Sequence, residues 1–339
     1  MKICLIGDFS QNTDEGYKNF CHSLSHWLED VQIDVRRLNI KHIYSPVFWE
    51  ELTFYQAQII HLITQPTWSS LLFSSLIRRI YPSTRIVLSA LKPEKFFQNR
   101  RMMTFHHWLL KVARPHLVMV QSQAARRWFE LNGLNAICIP NGVDTSRFHP
   151  VNSEVKIQLR DKYSVETNVP VALHVGHLIR KRNLDALRNI PSERVQVVVV
   201  ASTYMRVDRK LLGRLREAGI RLIIGYHPNI EEWYQLSDMY IFPVLTGDTL
   251  SMPLSVLEAM ACSLPVITTP FPGLQEYFQE GNGLFYLNSA SDLPLLFSKA
   301  SADGIIPRTG EMVKDFSWEL IAAQIQTFYT KLLSSSCPQ

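Results

Sequence analysis

"SMPLSVLEAMACSLPVITTP", residues 251–270, holds a helix and a strand with almost nothing between them. Pro253 suits the first turn of a helix. Leu254, Leu257 and Ala261 recur at helical spacing and predict a face turned to a core. "LPVITTP" is a short apolar, β-branched run, which predicts a buried strand. A helix that feeds straight into such a strand is half of a βαβ unit, the building block of a parallel sheet. One residue interrupts this reading. Glu258 is the single charge in the stretch. A buried carboxylate is costly without a partner. Glu258 therefore has an internal hydrogen bond, waits for a ligand, or lies on an exposed side of the helix.

The same grammar runs outward in both directions. Upstream, "VPVALHVGHL", "RVQVVVVAST", "IRLIIGY" and "MYIFPV" read as strands, with "NLDALRNI" and "IEEWYQLSD" as helices between them. "RVQVVVVAST" is apolar enough to need cover on both faces. Downstream come the strand "NGLFYL" and a closing helix in "SWELIAAQIQTFYTKLL". There Leu320, Ile321, Ile325, Phe328 and Leu332 form the expected apolar stripe. The first half repeats the pattern with "KICLIGDF", "QIDVRRLNI", "AQIIHLIT", "TRIVLSA", "HLVMVQS" and "NAICIPNGVD" as strands. Helices follow in "DEGYKNFCHSLSHWLED", with Asp14 as N-cap candidate, in "WSSLLFSSLIRRI", and in the basic "NRRMMTFHHWLLKVAR". Strand and helix alternating twice over predict an α/β chain of two doubly wound domains.

Length supports two domains, because 339 residues exceed a typical single core. The break is expected at "PNGVDTSRFHP", where Asn141-Gly142 is turn chemistry and Pro150 closes the segment. This gives an N-terminal domain over 1–150, a C-terminal domain over 151–315 and a closing helix over 316–339. Hydrophobic residues make up 46% and charged residues 19%, which excludes a disordered chain. Five cysteines without metal spacing predict reduced thiols and a cytoplasmic setting. The start "MKICLIGDFS" breaks at Gly7-Asp8 too early for a signal peptide, and no apolar run is long enough to span a membrane. Net charge is +5 overall, but +6 falls in residues 1–150 and −1 in the remainder. The asymmetry is either chance or the mark of an anionic partner for the first half, such as a membrane surface or an acidic acceptor.

Loops at strand ends carry the remaining signals. Gly16, after the first strand, stands near a helix N-terminus, where free amides attract anions; an ordinary turn is the alternative. "GHLIRKRN" places Arg180, Lys181 and Arg182 after a strand, either as a solvated loop or as cations for a leaving diphosphate. Amides of Leu254 and Ser255 are uncommitted in the first turn of the Glu258 helix. Glu258, one turn on, can accept the two hydroxyls of a ribose diol. There is no GxSxG, HExxH or P-loop, and no aromatic stripe interleaved with cations for nucleic acid.

Taken together, "IPNGVDTSRFHP", "VGHL" with its basic residues, "LVMVQSQAARRWFELNG", "PLSVLEAMACSLPVITTPFPGLQEYFQEGNGLFY" and "FSWELIAAQIQTFYTKLL" resemble the retaining GT-B glycosyltransferases of family 4, the glycosyl transferases group 1. The resemblance implies two Rossmann-like domains facing a deep cleft. It implies transfer of a sugar from a nucleotide-sugar to a glycan, lipid-linked or small-molecule acceptor, without a metal or cofactor. By resemblance Arg182, His177 and Asp248 would be catalytic. Glu258, Leu254, Ser255, Gly16, Lys181, Tyr226 and His227 would bind the nucleotide-sugar. The sequence also departs from the family. Leu250 stands where a second glutamate is usual, with Asp248 the nearest acid; Asp248 either replaces it or caps its own turn. His177 takes the place of an arginine, and "ASTY" that of a Gly-rich loop. A degenerate member that binds a nucleotide or a partner without turnover is the competing expectation. The basic helix of residues 99–114 is expected on the acceptor side, either at an anionic lipid surface or packed on the core.

Overall fold

The computed structural model describes residues 1–11, 16–64, 67–90, 114–191, 193–245, 251–302 and 306–334. The chain divides into two compact units. Unit 1 comprises Met1–Asn141, Thr249–Met252 and Trp318–Gln339. Unit 2 comprises Gly142–Asp248 and Pro253–Ser317.

Unit 1 holds one parallel sheet of β1 (Lys2–Gly7), β2 (Asp34–Asn39), β3 (Ile59–Thr64), β4 (Arg85–Ala90), β5 (Leu117–Val120) and β6 (Ala136–Cys138). The order is β2-β1-β3-β4-β5-β6. Ile3 lies beside both Val35 and Ile59, so β1 is covered on both edges. Its residues from Ile3 to Ile6 are fully buried, which is why the run is apolar without alternation. Each such leucine or isoleucine contributes about 1.5–3 kcal/mol. Two apolar clusters cover the two faces. One gathers Phe48, Leu52, Leu71, Ile77 and Phe129 from the helices Pro46–Tyr55, Trp68–Ile80 and Gln123–Leu131. The other gathers Phe20, Leu24 and Leu28 of the helix Gly16–Asp30 with the closing helix Trp318–Ser334.

The closing helix buries Trp318, Ile321, Ala322, Ile325 and Tyr329, with the Trp318 ring edge-on to Phe20 at 5.3 Å. Phe328 and Leu332 flank this stripe. Leu320, expected in it, is 44% exposed. At about 100° per residue it stands on the far side of the helix from Trp318 and Tyr329. Tyr329 also reaches a buried histidine on β3. Its hydroxyl is 2.5 Å from His61 Nδ1, and His61 Nε2 is 2.7 Å from Ser89 Oγ on β4. Burial lowers the His61 pKa to about 3, so the ring is neutral and its two nitrogens divide donor and acceptor roles between the two hydroxyls.

Unit 2 repeats the design with β7 (Val171–His177), β8 (Gln196–Ser202), β9 (Arg221–Ile224), β10 (Met239–Phe242), β11 (Val266–Thr268) and β12 (Leu284–Tyr286), in the order β12-β11-β10-β7-β8-β9. β8 runs buried from Val197 to Ala201, as its apolar sequence demands. Segment 142–150 hydrogen-bonds into this unit. Val143 N donates to Phe316 O at 2.9 Å, Arg147 reaches Glu231, and the Phe148 ring meets Tyr234. Asn141 instead donates to Met252 O at 2.6 Å within unit 1. The chain therefore passes from one unit to the other at Asn141-Gly142, ahead of Pro150. Among the described residues, no helix is long and apolar enough to cross a membrane.

The His61 bridge yields a stability prediction. Tyr329→Phe leaves a buried ring nitrogen without its partner and should cost about 1–3 kcal/mol in urea unfolding. A change below about 0.5 kcal/mol, the ordinary level for a surface substitution, would show that the bridge does not hold the closing helix.

Candidate functional site

In unit 2 the strand order reverses between β7 and β10. β8 and β9 lie to one side of β7, and β10, β11 and β12 to the other. Open α/β sheets bind ligands at the carboxyl ends of the strands flanking such a switch. β7 ends at His177 and is followed by the 3-10 turn Arg180–Arg182, while β10 ends at Phe242. The Arg182 guanidinium lies over the Phe242 ring, 5.4 Å from its centre. His174 stacks on Phe242 at 5.4 Å and 13°, and Tyr240 is nearly parallel to Phe242 at 6.2 Å. His174 Nδ1 donates to Ile241 O at 2.8 Å, and burial takes its pKa down to about 3. The stacked imidazole is thus neutral and adds no charge to compete with Arg182. A cation held over a desolvated ring gains about 2 kcal/mol. Gly176 lies close under this ring: a Cβ there would stand 3.0 Å from His174 Nε2, tight enough that the ring would have to shift by a few tenths of an ångström.

The three cations of the sequence motif have different fates. Arg180 and Lys181 are exposed, whereas Arg182 is half-buried. Lys181 contributes its backbone, its carbonyl accepting from Leu245 N at 3.2 Å. This bond ties the basic turn to the segment after β10. His177 is half-buried, its ring 6.2 Å from that of Tyr204 in the "ASTY" segment.

The helix Leu254–Ala261 begins at Pro253 without a side-chain cap. The first intrahelical donors are Val256 and Leu257, both to Pro253 O, which leaves the Leu254 and Ser255 amides open among the described residues. Leu257 and Ala261 are buried as expected, while Leu254 is half-exposed at the helix mouth. Glu258 is half-buried, and its Oε2 accepts from the Tyr234 hydroxyl at 2.7 Å. Its Oε1 has no hydrogen bond among the described residues. Burial raises its pKa to about 7, against the lowering effects of Tyr234 and Arg147. Burial raises the Tyr240 pKa, with Glu258 adding to the rise and Arg182 opposing it, and the Tyr240 hydroxyl donates to Val175 O at 3.3 Å. Tyr240 stands between the two groups' partners, its ring 5.5 Å from that of Tyr234, which holds Glu258, and 6.2 Å from that of Phe242, which carries Arg182.

Beyond β9, Gly225 adopts φ +143°, a conformation suited to glycine, and turns the chain into Tyr226 and His227. Tyr226 is 46% exposed. The His227 ring meets Trp233 edge-on at 5.9 Å, and burial lowers its pKa. Arg147 is fixed nearby by Glu231 at 2.6 Å and by the Pro228 carbonyl. Arg147, Tyr234, Phe242, His174 and Tyr204 escaped the sequence reading of the site. Of these, only "ASTY" had been marked, as a departure.

Gly16 belongs to unit 1, exposed at the head of its helix. In the loop before it, Asp8 is buried and bound by Lys41 at 2.9 Å and by Ser10 N at 3.1 Å. Asp248, Leu250, Asp14 and nearly all of the basic helix at 99–114 lie outside the described residues. No group of three or more metal-ligating side chains occurs among the described residues.

Residues 169–303 match the family model for glycosyl transferases group 1. A Bacillus subtilis (strain 168) protein described as the teichuronic acid biosynthesis glycosyltransferase TuaC is 26% identical over 152 residues, covering 44% of this chain and 37% of its own length. The chain thus spans well under half of that relative. Sucrose-phosphate synthase from Thermosynechococcus elongatus superposes with a TM-score of 0.79 at 18% identity, over 99% of this chain and 100% of its own. Anabaena HepE in complex with UDP-glucose gives 0.74 at 18% identity, over 98% and 100%. The fold is GT-B, built of two Rossmann-like units. The resemblance to glycosyl transferases group 1 read in the sequence is borne out over residues 169–303.

The raised Glu258 pKa predicts a pH dependence of stability. A carboxyl whose pKa rises on folding stabilises the fold in its protonated form. That contribution is complete below the ordinary value of 4.5 and is lost as pH rises through about 7. Glu258→Gln should flatten this loss in denaturant melts between pH 5 and pH 8. An unchanged slope would show that Glu258 is solvated like a surface acid.

Proposed function

We propose that this chain is a retaining glycosyltransferase that moves a sugar from a nucleotide-diphosphate-sugar to an acceptor without a metal in the chemical step. The observation that carries the reading is Glu258. A half-buried carboxylate with one oxygen on Tyr234 and the other open suits a vicinal diol such as that of ribose. Leu254 and Ser255 would offer amides to the diphosphate, joined by Arg182 and, at longer reach, Lys181. Tyr226 and His227 would border the base. The UDP-glucose complex of HepE supports a donor of this class.

The chemistry follows from charge. The bond between the anomeric carbon and the diphosphate oxygen breaks as the acceptor oxygen bonds to that carbon on the same face. The acceptor proton passes to the departing diphosphate. Negative charge grows on the leaving oxygen, and a fixed cation in a partly desolvated site stabilises it. Arg182, held over Phe242, would take this role, with His177 at the end of β7 as the second candidate.

A thermal-shift panel of UDP, GDP and ADP, followed by turnover of the matching nucleotide-sugars, tests the reading. Glu258→Ala should weaken nucleoside diphosphate binding about 10- to 100-fold, as hydrogen bonds to a charged acceptor contribute about 1.5–3 kcal/mol each. Glu258→Gln, which keeps an acceptor for Tyr234, should still lose about tenfold. Unchanged affinity in both variants would remove the ribose assignment. Tight nucleotide binding with no turnover of any donor would favour a non-catalytic binding protein.

A further inference from the structure

Segment 142–150 supplies none of the residues predicted for the site, yet it grips unit 2 beside that site through two neighbouring side chains. Asp144 turns the chain first. Its Oδ1 accepts from Ser146 N and Arg147 N, each at 3.1 Å, and its carbonyl accepts from Phe148 N at 2.8 Å. Arg147 and Phe148 are set by this turn and make different contacts.

Arg147 holds the turn after β9. Its Nε and Nη2 both lie 2.6 Å from Glu231 Oε2, and Nη2 also donates to the Pro228 carbonyl. Pro228 directly follows Tyr226 and His227. At one end of this turn Gly225 N donates to Ala201 O at 3.0 Å. At the other end the helix Ile230–Gln235 starts from Asn229 without a side-chain cap. Arg147 fastens the chain between these two points. Phe148 is buried, and its ring meets Tyr234 edge-on at 5.5 Å and 83°. The Tyr234 hydroxyl in turn donates to Glu258. One dipeptide therefore sets the Tyr226-His227 turn relative to the Glu258 carboxylate.

These two groups would meet different parts of a nucleotide. Ribose and diphosphate are common to UDP, GDP and ADP, and only the base differs. Hydrogen bonds to a base edge need donor–acceptor distances of about 2.7–3.2 Å and near-linear angles. A site that forms them rejects a base that leaves them unmade. Such selection is lost when the turn drifts relative to the ribose partner. We propose that Arg147 is a positioning residue that sets base selection, by clamping the Tyr226-His227 turn at a fixed place relative to Glu258. The proposal rests on the nucleotide-sugar reading above. An exposed ion pair by itself contributes little. Here the planar guanidinium spans a carboxylate and a carbonyl at once, a geometry that a lysine ammonium does not reproduce.

The experiment is calorimetric titration of the full chain with UDP, GDP and ADP. The parent should bind one of the three about tenfold or more tightly than the others, roughly the effect of one net hydrogen bond to the base. Arg147→Gln, Arg147→Lys and Glu231→Gln should each weaken the preferred nucleotide alone and bring the three affinities within about threefold of one another. The Arg147→Gln/Glu231→Gln double variant should lose no more than either single variant, since the two residues act as one clamp. Glu258→Ala removes a ribose contact common to all three, so it should weaken them by the same factor and leave their ratio unchanged. Thermal melts check the fold of each variant, and if Arg147→Gln melts early, Arg147→Lys decides. Retention of the parental ratio by the deciding variant, or equal weakening of all three nucleotides, overturns the proposal and leaves the transferase reading standing. So does a parent that binds all three alike. A parent that binds none of them overturns both.

Discussion

A parallel strand buried on both faces has no place for a polar side chain without a partner, and the rest of this structure follows from that constraint. It drives the apolar runs of β1 and β8 and confines charge to the loops at strand ends. The switch between β7 and β10 then decides which loops meet. Arg182 from one strand end rests on Phe242 from the other. The two buried strand histidines are both held neutral by burial; His61 is bonded at both ring nitrogens, and His174 at Nδ1 with its ring stacked on Phe242.

The site is therefore assembled from backbone geometry before any side chain acts. The open amides of Leu254 and Ser255 arise because Pro253 begins the helix without a capping side chain. Glu258 is tolerated because Tyr234 supplies one hydroxyl. Two of the three possibilities left open by the sequence, an internal partner and an oxygen available to a ligand, are present on the one carboxylate.

What was legible in the sequence was what depends on local pattern. Strands declared themselves by apolar runs, and the Glu258 helix by its spacing and isolated charge. The helix Ser153–Lys162 was not read, because it buries only Leu159 and Arg160 and carries no apolar stripe. Leu320 was placed in the wrong stripe because an apolar residue beside Ile321 looks like core until the helix is rotated to bury Trp318. The stack of His174, Phe242 and Arg182 joins positions far apart in sequence, and no local pattern encodes it. The interdomain segment showed its turn at Asn141-Gly142, but the unit to which each side belongs depended on distant hydrogen bonds.

The His61–Tyr329 contact spans 268 residues of chain. Domains generally fold as they leave the ribosome, the N-terminal one first. Within this chain unit 1 is begun before unit 2 and completed after it, because a face of its core is filled by the helix Trp318–Ser334. Until Trp318–Ser334 has been made, Leu24, Leu28 and Ile63 lack the side chains that cover them in the finished fold. The nascent chain must carry an unsealed sheet face throughout the synthesis of unit 2, a period of about 10–40 s at ordinary elongation rates. The order of synthesis thus leaves unit 1, rather than the later-begun unit 2, with an open sheet face while the other unit is made.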